Sequence, residues 1–391
     1  MVPNGWTAGK VSDVIQSLES GVSVNGEDRQ LNPKELGVLK VSAVSYGYFN
    51  PIACKAINIE EIPRAKINPK KGQVIVSRSN TPELVGASAY IDKDYSHLFL
   101  PDKLWQTIPK PNQNMKWLSY VLALPSSRYY LSDLATGTSS SMKNITQEAF
   151  LNLKILIPSI PEQQKIAEIL STWDKAIETT EELISNSQAQ KRALMQQLLT
   201  GKKRLLDENG KLFNGRWEKA TLSKLAVITK GTQRNRNTLT QIGLFAVING
   251  GTDPSGYTSE YNTEANTITI SEGGNSCGYI GFQKENFWCG GHCYSLSKVK
   301  IHNLFLYQLL KSHEAQIMRL RVGSGLPNIQ KKAIESYSLK IPPNHSEQKM
   351  IANVLSKADR EIELLEKKLE YLKQEKKALM QQLLTGKRRV I

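Results

Sequence analysis

Ala193-Leu-Met-Gln-Gln-Leu-Leu-Thr-Gly-Lys202 returns unchanged as Ala378-Leu-Met-Gln-Gln-Leu-Leu-Thr-Gly-Lys387. Extending the match backwards at the same offset of 185 brings Pro158 onto Pro343, Glu162-Gln163 onto Glu347-Gln348 and Ile166-Ala167 onto Ile351-Ala352. Residues 158–204 and 343–389 align without a gap, with 23 identities in 47 positions. A match of that length is an internal duplication. The stretches before each copy resemble one another only at their edges. Gly5-Trp6 opens the first and Gly215-Arg-Trp217 the second. Polar turns close them, Gly137-Thr-Ser-Ser-Ser-Met-Lys-Asn-Ile145 and Gly323-Ser-Gly-Leu-Pro-Asn-Ile329. The organisation is a repeated frame carrying two divergent modules: module one at 1–157, spacer one at 158–204, module two at 205–342 and spacer two at 343–391.

Both repeated segments read as long helices. Steps of four and three along the second copy select Ile351, Leu355, Ala358, Ile362, Leu365, Leu369, Leu372, Lys376, Leu379 and Leu383. All but one are apolar, which is the seam of a coiled coil. The first copy gives Ile166, Leu170, Trp173, Ile177, Thr180, Ile184, Ser187, Lys191, Leu194 and Leu198, a weaker seam. The helix-pairing residues expected from the pattern are Ile166, Leu170, Ile177, Leu194 and Leu198 on the first helix. On the second they are Ile351, Leu355, Ile362, Leu365, Leu369, Leu372, Leu379 and Leu383. Lys191 and Lys376 occupy the same seam slot. A charge there fixes register and partner at some cost in stability, unless its alkyl stem packs and the ammonium snorkels to water.

Pro158 and Pro161, and Pro342, Pro343 and Ser346, punctuate the starts, with Ser346 the capping candidate. Gly201 and Gly386 mark the ends. The cations of Lys202-Lys203-Arg204 and Lys387-Arg388-Arg389 suit the negative helix terminus and read as solvated dipole partners. About 40 residues at about 1.5 Å each make each helix roughly 60 Å long. The pattern leaves parallel and antiparallel pairing open.

The modules read as short strands and turns with a helix late in each. Val74-Ile-Val76, Leu84-Val85 and Thr267-Ile-Thr-Ile270 are strand-like, and Trp117–Tyr130 and Leu304–Leu320 are helical. That mixture predicts α/β or α+β modules without regular βαβ alternation.

The chain of 391 residues carries 51 Lys+Arg against 36 Asp+Glu, a net charge of +15. This excess favours a polyanionic partner, nucleic acid being the simplest, although a merely basic surface shows the same excess. The opening Met1-Val-Pro-Asn-Gly-Trp6 has no basic-then-apolar leader, and no apolar run approaches the roughly 18 residues of a membrane span. With four cysteines, at 54, 277, 289 and 293, the expectation is a reduced, soluble, cytoplasmic protein.

Polar loop residues of base-reading type follow strands in both modules. Arg78 suits guanine and Asn80 adenine; Glu272 suits cytosine, and Asn275 adenine. Asn249 lies in the turn Ile248-Asn-Gly-Gly251. Ser77 precedes Arg78, and Lys143 and Asn328 stand in the two closing turns. These eight are the candidate DNA-binding residues. Catalytic motifs are missing. Asn50-Pro51-Ile52 and Ile341-Pro342-Pro343-Asn344 do not fit the [DN]-P-P-[FY] loop of an amino-methyltransferase. The glycines from Gly273 to Gly281 are wrongly spaced for a dinucleotide fingerprint, and no G-x-x-x-x-G-K-[ST] phosphate loop is present. Cys289-Gly-Gly-His292-Cys293, with Cys277 upstream, lacks the paired spacing of a zinc site and reads as small residues on a buried strand. No catalytic or metal residues are expected.

This layout resembles the specificity subunit of type I restriction-modification systems. The resemblance spans the chain and rests on P-x-x-x-E-Q-x-x-I-A at Pro158–Ala167, its copy at Pro343–Ala352 and the two A-L-M-Q-Q-L-L-T-G-K ends. Val76-Ser-Arg-Ser-Asn80 with Val85-Gly86, and Phe99-Leu-Pro-Asp-Lys-Leu104, support it. One departure is the short N-terminus before Gly5-Trp6. The resemblance implies two mixed α/β target-recognition domains, each reading half of a split double-stranded DNA site. It also implies spacer helices that pair as an antiparallel coiled coil and dock two methyltransferase subunits, and translocase–nuclease subunits joining the assembly. S-adenosylmethionine would sit on the methyltransferase, and ATP and magnesium on the restriction partner, none on this chain. The alternatives are the recognition subunit of another multi-subunit restriction system, cutting beside its site, and a basic coiled-coil scaffold.

Overall fold

A computed structural model describes residues 2–137, 142–323, 325 and 327–390. The chain forms two compact units, one of residues 1–179 with 369–391, the other of residues 180–368. The spacer helices are continuous, Ile160–Leu198 and His345–Leu383, and each contributes one half to each unit.

Beneath their divergent sequences the two modules share a topology. In the first unit a four-stranded antiparallel sheet runs in the order Ser88–Tyr90, Val74–Ser77, Leu104–Pro109, Ile15–Ser20. In the second the order is Ile280–Gln283, Thr267–Ser271, Cys293–Ser297, Val227–Lys230, again antiparallel. The central strands are apolar and fully buried (Val74, Ile75 and Val76; Ile268 and Ile270), as strands covered on both faces must be. A smaller mixed sheet accompanies each. It is built on Gly37–Leu39, Cys54–Ile57 and Leu98–Phe99 in the first unit, and on Phe245–Ile248, Tyr257–Thr258 and Phe287–Cys289 in the second. At the edges, Thr7–Lys10 pairs with Lys154–Ile157 and Glu218–Thr221 pairs with Ser338–Ile341, so each module's first strand lies against the strand that leads into its own long helix.

The helical stretch expected at Trp117–Tyr130 is two helices, Met115–Ala123 and Pro125–Asp133. Leu124 precedes a proline and is driven to φ −58°, ψ 140°, which ends the first helix. The stretch at Leu304–Leu320 is likewise split at His313 into Asn303–Ser312 and Glu314–Met318. Leu84-Val85 is not a strand. It lies in a turn closed by the Leu84 and Val85 amides on the Thr81 carbonyl, at 3.0 and 2.8 Å.

Within each unit the two helix halves run antiparallel. In the first unit Glu162 faces Arg389 and Asp174 faces Lys376, so the partner number falls as the helix advances. In the second, Lys191 faces Asp359 and Arg204 faces Glu347. The seam lies on the shielded face. Ile166, Leu170, Leu198, Ile351, Leu355 and Leu383 are buried, and Ile177, Leu194, Ile362, Leu365, Leu369, Leu372 and Leu379 are half-buried. Even the polar seam residue Thr180 is 3% exposed. Near the helix ends the buried stripe widens to take in Ala167, Leu199, Ala352 and Leu384, because the module cores pack there too.

The repeated Glu-Gln pair gains a physical meaning. Glu162 is almost completely buried and accepts from Arg389 Nε (2.6 Å) and Nη2 (2.8 Å) and from Trp6 Nε1 (2.7 Å). Glu347 accepts from Arg204 Nε (2.6 Å) and Nη2 (2.7 Å). Gln163 donates to the Pro158 carbonyl and accepts from the amide of Asn114, the residue capping Met115–Ala123. Gln348 does the same with the Pro342 carbonyl and the amide of His302, the cap of Asn303–Ser312. Arg204 and Arg389 are therefore not solvated dipole partners, as the sequence pattern suggests. Each follows a glycine at positive φ (Gly201 +70°, Gly386 +68°), where the chain turns and lays the guanidinium against the buried carboxylate. The residues leading into Trp6 reach the end of the second helix, since Arg389 Nη1 donates to the Asn4 carbonyl and Gly386 sits against Pro3 and Trp6. The cap of the second helix is Asn344 rather than Ser346. Its side-chain oxygen accepts from the amides of Ser346 (2.8 Å) and Glu347 (3.4 Å).

Two measurements follow from this packing. Leu355 is fully buried and Leu364 is 54% exposed on the same helix. Leu355→Ala should cost about 3 kcal/mol in denaturant unfolding and Leu364→Ala under about 0.5 kcal/mol; equal costs would refute the assigned seam. Burial alone would raise the Glu162 carboxyl, but the Arg389 and Trp6 hydrogen bonds outweigh it and hold it below the ordinary carboxylate range. Its contribution is complete above the unfolded-state value of about 4.3 and is lost as pH falls through the lowered folded value. Glu162→Gln should be less stable at neutral pH and should lose less stability than wild type on acidification below about pH 4.

Candidate nucleic-acid interface

At one end of the main sheet each unit builds the same corner. The strand Val74–Ser77 leads into Arg78, whose carbonyl accepts from the Ile145 amide at 2.9 Å. The strand Thr267–Ser271 leads into Glu272, whose carbonyl accepts from the Ile329 amide at 2.8 Å. Thr136 and Asn144 exchange two backbone hydrogen bonds, and so do Val322 and Asn328. The Gly86 amide donates to the Ser77 carbonyl (2.7 Å) and the Gly278 amide to the Ser271 carbonyl (2.9 Å). Both glycines have positive φ, and a Cβ on them would meet Leu131 at 3.0 Å or the Met318 backbone at 2.8 Å. A β-branched or larger residue fits neither place.

This corner gathers most of the sequence candidates. Ser77 is buried and accepts from Asn80 Nδ2 at 3.2 Å. Asn80 also caps its own turn, with Oδ1 accepting from the Thr81 amide. Lys143 lies across the short ladder from Asn80 and donates to the Gly137 carbonyl. The Arg78 guanidinium lies 6.0 Å from the Trp105 ring centroid and makes no ion pair among the described residues. It remains a cation available to an acceptor.

In the second unit Glu272 accepts from Lys230 Nζ (2.6 Å) and Tyr294 Oη (3.0 Å), with His292 Nδ1 at 3.7 Å. Burial and this carboxylate push the Tyr294 phenol upward. Asn249 Oδ1 accepts from the His292 amide, which ties that turn to the corner. Asn275 and Asn328 are exposed. In the closing turns, residues 138–141, 324 and 326 lie outside the described residues.

The strand pairings place Arg78, Trp105 and Ser20 in the first unit where Glu272, Tyr294 and Lys230 stand in the second. The same fold position thus carries opposite charges in the two units. Lys230, His292 and Tyr294 were not among the sequence candidates, because their pairing to Glu272 is made across strands and leaves no local spacing to read. Arg128 was also missed. It is 8% exposed, lies 5.5 Å from the Tyr46 ring centroid and donates to the Glu83 carbonyl, with no carboxylate partner among the described residues. Tyr46 and Tyr48 are exposed on one unit, and Arg234 is stacked 4.4 Å from the Trp288 ring on the other; aromatic and cationic side chains are the types able to stack on bases and hold phosphates.

Cys277, Cys289 and Cys293 are buried, the latter two in a small apolar cluster with Ile248 and Phe287. Among the described residues no group of three or more His, Cys, Asp or Glu is placed to hold a metal ion, and no helix is long and apolar enough to cross a membrane.

Comparison with known proteins agrees with this architecture. The family model of the type I restriction modification DNA specificity domain matches residues 3–186 and again 214–374. A putative type I specificity subunit of Mycoplasma genitalium is 34% identical over 155 residues, 39% of this chain and 40% of that protein. The chain thus spans about two fifths of that relative's length in the aligned region. The putative MjaX specificity subunit of Methanocaldococcus jannaschii is 24% identical across 100% of this chain and 95% of its own. Among solved structures, the type I S subunit of M. genitalium superposes with a TM-score of 0.72 at 20% identity, covering 98% of this chain and 99% of that one. The two matched segments take in most of the chain, and the chain belongs to the type I restriction-modification DNA specificity family.

Proposed function

We propose that this chain is the sequence-specific DNA-recognition subunit of a type I restriction-modification complex and catalyses nothing itself. Each unit reads one half of a bipartite, asymmetric target in double-stranded DNA, and the paired spacer helices set the gap between the halves. The observation that carries this reading is the shared corner. Two modules of one topology present chemically different side chains at the same place, Arg78 in one and a neutralised Glu272 in the other. Two readers on one frame but with different chemistry give an asymmetric site. The net charge of +15 supplies the phosphate attraction, which dominates affinity and weakens with salt. Loop side chains then choose bases.

On this reading two methyltransferase subunits dock on the helices and bring S-adenosylmethionine, and restriction subunits bring ATP and magnesium, all in the cytoplasm. Support for docking comes from apolar side chains left on the outer faces of both helices. Leu183 is 46% exposed, and Leu364 (54%) and Tyr371 (69%) are seven residues apart and so share a face. The purified chain mixed with S-adenosylmethionine and DNA alone should methylate nothing, whereas co-production with a cognate methyltransferase should yield methylated adenine in a split motif.

Two variants refine the reading when methylated adenines are mapped across a genome. Arg78→Ala should weaken binding by about 1–3 kcal/mol and relax one position of a single half-site; loss spread evenly over both halves would place Arg78 on phosphate instead. Seven residues inserted into both helices, between Asp174 and Lys191 and between Asp359 and Lys376, preserve both ion pairs. The gap should widen by about three base pairs, since about 10 Å of helix spans about three steps of DNA. New half-site bases with an unchanged gap would contradict the assignment.

A further inference from the structure

The seam lysines resolve into two matching clusters, one in each unit. In the first unit Asp174 Oδ1 accepts from Lys376 Nζ and Oδ2 accepts from Tyr120 Oη, and the Lys376 ammonium lies 5.4 Å from the Tyr120 ring centroid. In the second, Asp359 Oδ1 accepts from Lys191 Nζ and Oδ2 accepts from Gln308 Nε2 at 2.7 Å. Both aspartates and both lysines are identities of the duplication. The donors come from the divergent modules and differ in kind. Tyr120 and Gln308 are nevertheless equivalent in place, each the sixth residue of its helix, Met115–Ala123 or Asn303–Ser312, and each almost fully buried.

Stability does not explain this arrangement. The aspartates are about two-fifths exposed (38% and 42%), and a partly exposed ion pair contributes little. An apolar pair in the seam would hold the helices at least as well. Direction is what the cluster adds. One carboxylate takes a bond from the opposite long helix with one oxygen and a bond from the module helix with the other. Sliding either helix by one residue moves its side chain 1.5 Å and turns it through 100°, which breaks both bonds.

We propose that each Lys–Asp pair is the seat on which its recognition module is registered against the helix pair. Asp174, Lys376 and Tyr120, with Asp359, Lys191 and Gln308, are positioning residues that hold the gap between half-sites to one value. Any module that offers a buried donor at this point of its helix can take the seat, whatever its loops read. This rests on the proposed function, in which the chain measures a split DNA site.

The test uses the full chain co-produced with its methyltransferase, with methylated adenines mapped for wild type, Tyr120→Phe, Gln308→Leu and the double variant. Tyr120→Phe and Gln308→Leu remove the donors and leave the ion pairs and the seam intact. The expected result is unchanged half-site bases, with methylation appearing at gaps one base pair longer or shorter. Discrimination between gaps should fall about tenfold for each lost bond to a charged acceptor. Unfolding midpoints are measured alongside. If the variants lose stability yet keep the single wild-type gap, the residues are merely structural and the seat is overturned. Should the double variant fail to fold, the single variants carry the same comparison. A wild-type chain that directs no split motif would sink the functional reading itself, an outcome distinct from failure of the seat.

Discussion

The buried carboxylate at the start of each spacer helix is the constraint on which the rest of the structure depends. Glu162 and Glu347 are both hidden from water, and a carboxylate there is tolerated only with a partner. The partner in each case is an arginine beyond the end of the other spacer helix. Each compact unit is therefore closed by a helix end that the other repeat supplies. The antiparallel sense follows, because a parallel pair would bring helix starts to starts and leave both carboxylates unpaired. The neighbouring Gln163 and Gln348 extend the constraint into the modules by holding the capped ends of Met115–Ala123 and Asn303–Ser312.

Much of this frame is legible in the sequence because it repeats and because helices have a period. The seam residues, the helix ends at Gly201 and Gly386 and the mixed α/β character of the modules all follow from spacing and composition. What spacing does not carry is pairing across distance. The arginines after the two glycines look like solvated dipole partners until their 143- and 227-residue separations from Glu347 and Glu162 are closed. Ser346 reads as the cap in the sequence, and only the observed hydrogen bonds assign that place to Asn344. The same limit applies at the candidate interface. Glu272 reads as a free acceptor along the chain, whereas Lys230 and Tyr294, on strands 42 and 22 residues away, both donate to its Oε1.

The duplication is exact in register but not in chemistry, and the inequality is informative. Trp6 donates its indole N–H to Glu162, so the first link has three donors. Trp217 occupies the matching edge of the second module and packs against Gly201, yet its indole N–H is buried without a partner. Glu347 thus relies on Arg204 alone. An unsatisfied buried donor costs about 1–3 kcal/mol, so the second link is the weaker of the two closures.

The corners show how side chains can diverge without loss of the fold. Every bond shared by the two corners is a backbone bond: Ile145 to Arg78 and Ile329 to Glu272, Gly86 to Ser77 and Gly278 to Ser271, and the reciprocal pairs at Asn144 and Asn328. Backbone bonds are indifferent to side chain except where a glycine is sterically required, as at Gly86 and Gly278. The side chains at the corner are thereby released from holding it together, and arginine and glutamate can occupy one position without altering the geometry. Where a side chain is needed for the frame, as at Asp174 and Asp359, both copies keep it. Glu162 and Glu347, with Asp174 and Asp359, therefore belong to the frame, and on the proposed function base choice falls to corner positions such as Arg78 and Glu272, where the two units differ on a common backbone.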